Sequence, residues 1–312
     1  MSFEKVEDFL GSDIDPKILE HFRQWEIYLN KISYFGGEMF CEILKKNLGK
    51  DDSLPIVMLF RNSIELVGSI SSLLINLYSE PAKIILRTLL ESTLYIEYLT
   101  QKDTARRSLS FLICQYHNKL NGYKKFDLKT QQGKQFKKQL EKDEFLENYE
   151  FKDQKLLQFH INNLESLVKL DLYSEVEVEY QRLKKLNPKR KPVWYEFFEG
   201  PKSIEKLAYE LKLGSIYEII YRNLSKGTHG TGVIDGYISA GEKEGVTNFS
   251  QIRFPYSAQF VCQFTITLSI RIMRRIINYH LPQWDNKYKE FYKKEIQAFY
   301  KAITKDKLLI IN

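Results

Sequence analysis

The sequence predicts an all-α fold. Glycine (15) and proline (8) are scarce for 312 residues, too few for the frequent turns of a sandwich or barrel. Apolar residues recur at three- and four-residue steps over long stretches, the pattern of amphipathic helices. Strand-like alternation is confined to short β pieces near 246–254. Hydrophobic residues make up 43% and aromatics 14%, which excludes a disordered chain and supplies a real core.

Asp15-Pro16 joins an N-cap residue to proline at the first helical position. Ile18, Leu19, Phe22, Trp25, Leu29 and Ile32 follow at helical spacing, giving a first helix over 15–48. Ser53-Leu54-Pro55 opens a second, to about Tyr78. Glu80-Pro81 opens a third, Ala82 to about Thr100, striped by Ile85, Leu86, Leu89, Leu90, Leu94 and Tyr98. Asp103-Thr104 caps a fourth that carries Leu109, Leu112, Ile113 and Tyr116. Four such helices with short connections make a bundle.

The segment 119–202 is a polar, basic insertion with no convincing apolar core of its own. Lysines crowd it between Lys119 and Lys142, and a second basic cluster spans Arg182 to Lys191. Two short helices follow, Ser203–Leu211 and Ser215 to about Lys226, then a glycine-rich loop over 227–245. A long apolar helix runs from Pro255 to Tyr279, and after Leu281-Pro282 a last helix covers 285–303. The expected organisation is one helical domain, 1–312. Its core bundle takes in about 50–118 and 203–280, with the N-terminal helix, the insertion and the C-terminal helix added to it.

Net charge is +7 and the pI is about 9.0. A basic surface attracts nucleic acid or anionic membrane, although a lysine- and isoleucine-rich composition accounts for the charge as well. Cys41, Cys114 and Cys262 lie far apart without C-x-x-C spacing, so no zinc site or disulfide framework is expected and a reducing cytosol fits. The first residues are acidic and lack the apolar run of a secretory signal. The longest apolar stretches carry Arg61 and Glu65, Arg87 and Glu91, and Arg271, Arg274 and Arg275, each costly in lipid. The expectation is a cytoplasmic protein that does not span a membrane.

Candidate chemistry concentrates in Tyr221 to Gly230. Arg222 and Asn223 precede His229, seven residues after the arginine. Guanidinium holds a phosphate through two parallel hydrogen bonds and stabilises charge built up during cleavage. Imidazole moves protons both ways near neutral pH. On an ideal helix the two side chains share a face roughly 10 Å apart. Gly227 is placed to end the helix and let His229 fold back, with Ser225 in reach to orient it. A helix cap followed by an ordinary loop histidine has the same spacing. Arg87 and Glu91 are an i,i+4 pair on an otherwise apolar helix, either a structural ion pair or part of the same pocket. The basic clusters interleave lysine and arginine (Lys124, Lys125, Lys137, Lys138, Arg182, Lys184, Lys185 and Arg190) with Tyr123, Phe126, Phe136, Trp194 and Tyr195. That suits single-stranded RNA, and it also suits a solvated face. His21, His117, His160 and His280 have no suggestive neighbours in sequence. Gly230-Thr231-Gly232 lacks the strand and the Gly-Lys-Ser/Thr of a P-loop.

Arg222-Asn223 with His229 resembles the R-x(4–6)-H motif of the HEPN superfamily, an all-α fold found in prokaryotic toxin and defence ribonucleases. Leu86 to Glu91 resembles the R-x-x-x-E helix of a family of uncharacterised bacterial proteins whose late motif also reads Ser-x-x-x-His-Gly, here Ser225 to Gly230. The resemblance covers roughly 50–118 and 203–280. It implies a metal-independent endoribonuclease without cofactor, acting as a toxin or in phage defence. The RNA 2′-hydroxyl would attack its own phosphate, with His229 moving protons, Arg222 stabilising the charge and Asn223 positioning the histidine or the phosphate. It further implies RNA as ligand, a homodimer, and an antitoxin or defence-system partner. Five residues separate Asn223 from His229 where the commoner spacing has three. That departure suits the alternative, a catalytically inactive HEPN-like module that binds RNA, a nucleotide or a protein.

Overall fold

The computed structural model describes residues 6–11, 15–45, 53–151, 153–222, 224, 238–240, 247–249, 251–253 and 257–305. The architecture is all-α. Its helices in chain order are α1 (Val6–Leu10), α2 (Pro16–Leu44), α3 (Leu54–Ile75), α4 (Ser79–Gln101), α5 (Thr104–Lys124), α6 (Gln131–Leu140), α7 (Gln154–Val168), α8 (Ser174–Leu186), α9 (Ile204–Glu210) and α10 (Gly214–Ile216). A π-helical turn, Tyr217–Arg222, continues α10. After a short antiparallel pair, β1 (Ile238–Ala240) and β2 (Thr247–Phe249), come α11 (Ala258–His280), α12 (Asp285–Phe291) and α13 (Gln297–Lys305). A second π turn, Tyr292–Ile296, joins the last two.

The chain divides into two compact units. The first comprises 1–49, 56–102 and 204–312, the second 50–55 and 103–203. This differs from the expected single bundle with a coreless insertion. The residues from 119 onward do have a core, because they collect around α5, which the expected bundle had taken for itself.

In the first unit α4 packs most extensively on α11. α4 buries Ala82, Leu86, Leu89, Leu90, Leu94, Ile96 and Leu99, and α11 buries Val261, Cys262, Ile266, Leu268, Ile272, Ile276 and Ile277. Between the two helices lies a carboxylate, Glu97, only 1% exposed. Its oxygens meet Arg271 Nε at 2.6 Å and Arg275 Nε at 2.5 Å. Burial of an anion is tolerable only with such partners. α2 begins as its sequence requires, with Asp15 Oδ1 accepting from Lys17 N at 2.8 Å. Its buried stripe, Phe22, Trp25, Leu29, Ile32, Phe35, Met39 and Ile43, faces α11 and the C-terminal helices. Phe35 stacks on Phe291 at 4.2 Å, and Lys31 reaches Glu295 at 2.6 Å.

Among the described residues one helix, α3, is long and apolar enough to cross a membrane. It carries Arg61 and Glu65, paired at 2.9 Å, and buries Ile56, Val57, Phe60, Val67, Ile70 and Leu74.

In the second unit α5 packs against α7, α8 and a 3-10 turn over Trp194–Glu199. The core is Leu112, Ile113, Cys114, Ile161, Tyr173, Val176, Tyr180, Trp194 and Phe197. A satellite aromatic cluster joins Phe126 to Phe136 at 5.2 Å and Tyr149 to Phe151 at 5.4 Å.

Candidate functional site

The sequence motif falls at the end of a short helix–reversal–helix in the first unit. α9 ends in a Schellman-type reversal: Leu213 N bonds to Ala208 O at 2.8 Å and Lys212 N to Tyr209 O at 3.0 Å. Lys212 takes the left-handed conformation (φ 60°) that this cap demands. The next residue but one, Gly214, is required by close approach. A Cβ there would stand 2.6 Å from the Tyr209 ring. Leu207, Ala208, Leu211, Leu213, Tyr217 and Ile220 are all buried, and α9 and the π turn both pack on α4. The reversal thus turns the chain back so that α9 runs beside the π turn.

The π turn carries two adjacent residues with different surroundings. Tyr221 faces α4. Its ring lies under the Arg87 guanidinium at 4.0 Å and stacks on Tyr217 at 4.9 Å and 17°. Its hydroxyl also donates to the Glu91 carboxylate. Arg87 and Glu91 are 3.7 Å apart, with side chains 14% and 31% exposed. Burial raises the Glu91 carboxyl above its ordinary value near 4.5, and the Arg87 charge and the Tyr221 hydrogen bond oppose that rise. Arg87 Nε is buried without a hydrogen bond. It faces the Tyr221 ring and sits beyond hydrogen-bond range of Glu91.

Arg222 takes another direction. Its Nη2 donates to Glu205 Oε1 on α9 at 2.8 Å, and its Nε meets Glu218 Oε2 at 3.0 Å. The second oxygen of Glu218 accepts from Tyr209 at 3.1 Å. That bond to Glu218 is the main reason the Tyr209 phenol is held above its usual value. The Arg222 side chain remains 59% exposed. So the R-x-x-x-E pair of α4 does meet the motif segment, but through Tyr221. The residues that meet Arg222 are Glu205 and Glu218, which sequence reasoning passed over. Asn223, Ser225 and His229 lie outside the described residues.

The basic residues assigned to RNA belong to the second unit, and most have partners. Lys124 pairs with Glu165 at 2.8 Å and Lys137 with Glu141 at 3.7 Å. Arg182 grips Glu179 with two bonds, 2.6 and 2.7 Å, and this grip holds the Glu179 carboxyl below its usual range. Lys184 donates to Pro188 O at 2.7 Å, and Arg190 pairs with Glu196. Lys125, Lys138 and Lys185 are exposed. Of the interleaved aromatics, Phe126 and Phe136 pack on each other and Trp194 and Tyr195 are buried. Those rings serve the unit's own packing.

His117 gains partners from another helix. It has close neighbours: its Nε2 lies 2.7 Å from Glu177 and its ring stacks on Tyr180 at 3.9 Å and 5°. Helix spacing gives no hint of this, since Glu177 and Tyr180 lie on α8. Cys114 and Cys262 are buried thiols whose pKa values burial pushes up, so neither offers a thiolate nucleophile. Among the described residues no three His, Cys, Asp or Glu side chains cluster as metal ligands.

Comparison with known proteins places these features. No curated protein and no solved structure matches the chain. A family model described as a family of unknown function, DUF5677, matches residues 53–245. That span holds α3, α4, the second unit from residue 53 onward and the whole motif segment. It covers more than half of the 312 residues, and the chain therefore belongs to the DUF5677 family.

Proposed function

We propose that this protein is a metal-independent endoribonuclease of the HEPN type, a toxin or phage-defence enzyme of the cytoplasm acting as a homodimer. The supporting observation is the junction of Arg87 and Glu91 with Tyr221, which ties the R-x-x-x-E helix to the residue beside Arg222. An i,i+4 pair meeting the motif segment in this way suits a pocket wall as well as a fold contact, and a π turn is a frequent mark of functional segments. In the proposed reaction His229 takes the proton from the RNA 2′-hydroxyl, which attacks the adjacent phosphate. Arg222 stabilises the charge on the phosphate oxygens, Asn223 positions the histidine or the phosphate, and the 5′-oxygen leaves with a proton. The products are a cyclic phosphate and a 5′-hydroxyl. The test is cleavage of RNA in EDTA by the wild type and by His229→Ala. Cleavage by the wild type alone is expected. Equal cutting by both, or none by either, defeats the assignment.

The two carboxylates on Arg222 favour a second reading, a module of the same type that has lost catalysis and binds RNA, a nucleotide or a protein partner such as an antitoxin. Salt-dependent RNA binding without cleavage would mark it.

A further inference from the structure

Arg222 presents five N–H donors in a fixed fork. Nε and Nη2 share one edge of that fork, and this edge grips a phosphate or carboxylate with two parallel bonds. Here two different carboxylates occupy it, Glu205 on Nη2 at 2.8 Å and Glu218 on Nε at 3.0 Å. They stand where two phosphate oxygens would stand. Neither is held to Arg222 by burial, since the side chains of Glu205, Glu218 and Arg222 are 44%, 35% and 59% exposed. Glu218 is anchored independently by Tyr209, whose ring lies against Gly214.

We propose that Glu205 and Glu218 form a carboxylate latch on Arg222 that an RNA phosphate must displace to occupy the site. The proposal rests on the reading of Arg222 as the group that binds RNA phosphate, which the ribonuclease and the RNA-binding form of the second reading share. The latch is built to yield. Exposed ion pairs are individually weak, whereas a polyanion gains further attraction from the chain's net charge of +7. Glu205 comes from α9 and Glu218 from the π turn, so releasing Arg222 requires only side-chain movement while Tyr209 keeps Glu218 close for relatching.

The test measures binding of a mixed-sequence single-stranded RNA with every 2′-hydroxyl methylated, which cannot be cleaved by 2′-attack. Fluorescence anisotropy at one fixed salt concentration compares the full-length variants. The double variant Glu205→Gln/Glu218→Gln is expected to bind roughly three- to tenfold tighter than wild type, the range two exposed ion pairs allow. Adding Arg222→Ala to it removes the gain. Glu210→Gln, an exposed carboxylate on the same helix, removes one charge as Glu205→Gln does, controls for that single variant and leaves binding within about twofold. If the double variant is poorly folded, Glu205→Gln alone carries the test and shows part of the gain. An equal gain from Glu210→Gln overturns the latch, since bulk charge then explains it. Arg222→Ala that weakens wild-type binding while the glutamine variants bind no tighter overturns the latch and leaves the reading of Arg222 intact. If Arg222→Ala in the wild type changes nothing, the reading fails together with the latch.

Discussion

Tyr221 is the pivot between α4 and the motif segment, and its contribution is measurable. Arg87 lies 4.0 Å from the ring centroid with a side chain only 14% exposed. A cation over an aromatic face contributes about 0.5–1 kcal/mol in water and about 2 kcal/mol when desolvated, so about 1.5 kcal/mol applies to this half-dry pair. The hydroxyl bond to the Glu91 carboxylate adds about 1 kcal/mol, reduced from the usual value for a charged acceptor because Glu91 is partly open to water. Tyr221→Leu should therefore cost about 2–3 kcal/mol in urea unfolding, and Tyr221→Phe, which keeps the ring, about 1 kcal/mol. Combining Tyr221→Leu with Arg87→Met should show a coupling of about 1–1.5 kcal/mol. A coupling below about 0.3 kcal/mol would mean the guanidinium and the ring are mere neighbours. The junction would then lose its claim to position Arg222.

Glu97 should matter to the fold about as much as Tyr221. Glu97→Gln loses two ion pairs and the charge on the one hydrogen bond from Arg275 Nε, but Arg271 and Arg275 are 39% and 38% exposed and can turn to water. The expected loss is about 2 kcal/mol, below the cost of stranding a fully buried charge; a loss under about 0.5 kcal/mol in urea unfolding would refute the clamp. Glu91 should make stability depend on pH. Its folded-state pKa is raised by burial, so its favourable contribution is complete below the unfolded value near 4.5 and is lost as pH rises through the folded value. Glu91→Gln should be the more stable protein at neutral pH, with the gap closing as pH falls through that window. A gap that widens toward acid would reverse the sign argued here.

Where a helix is announced locally, the sequence makes it legible. Asp15-Pro16, Ser53-Leu54-Pro55 and Asp103-Thr104 open α2, α3 and α5 within a residue or two of their observed starts; Asp15 caps through its side chain, whereas Asp103 makes no side-chain cap bond and starts α5 from a left-handed backbone (φ 49°). β1 falls in the glycine-rich stretch read as loop and β2 within 246–254; strands of three residues are too short for alternation to announce them. The core of the second unit is another matter. Ile161, Tyr173, Val176, Tyr180, Trp194 and Phe197 come in ones and twos from four separate short elements, so no one segment displays a long apolar stripe. The site is split the same way. Arg87, Glu91 and the segment 221–230 can be singled out from local spacing. Glu205 is seventeen residues from Arg222, and only the left-handed turn at Lys212 brings it alongside. Nor does sequence reveal that Tyr217–Arg222 is wound as a π turn, since that difference lies in backbone hydrogen-bond register.

The clamp on Glu97 also bears on where this protein can be cut. The matched family span stops at residue 245, before α11 begins at Ala258. A fragment trimmed to that span keeps Glu97 and discards both arginines that neutralise it. It also strips α4 of the helix on which it chiefly packs. What remains is an anion set into a bare leucine surface, a combination that invites aggregation. The span shared across the family is thus shorter than the span that can stand alone in this chain, and the missing support comes from the helix that follows it.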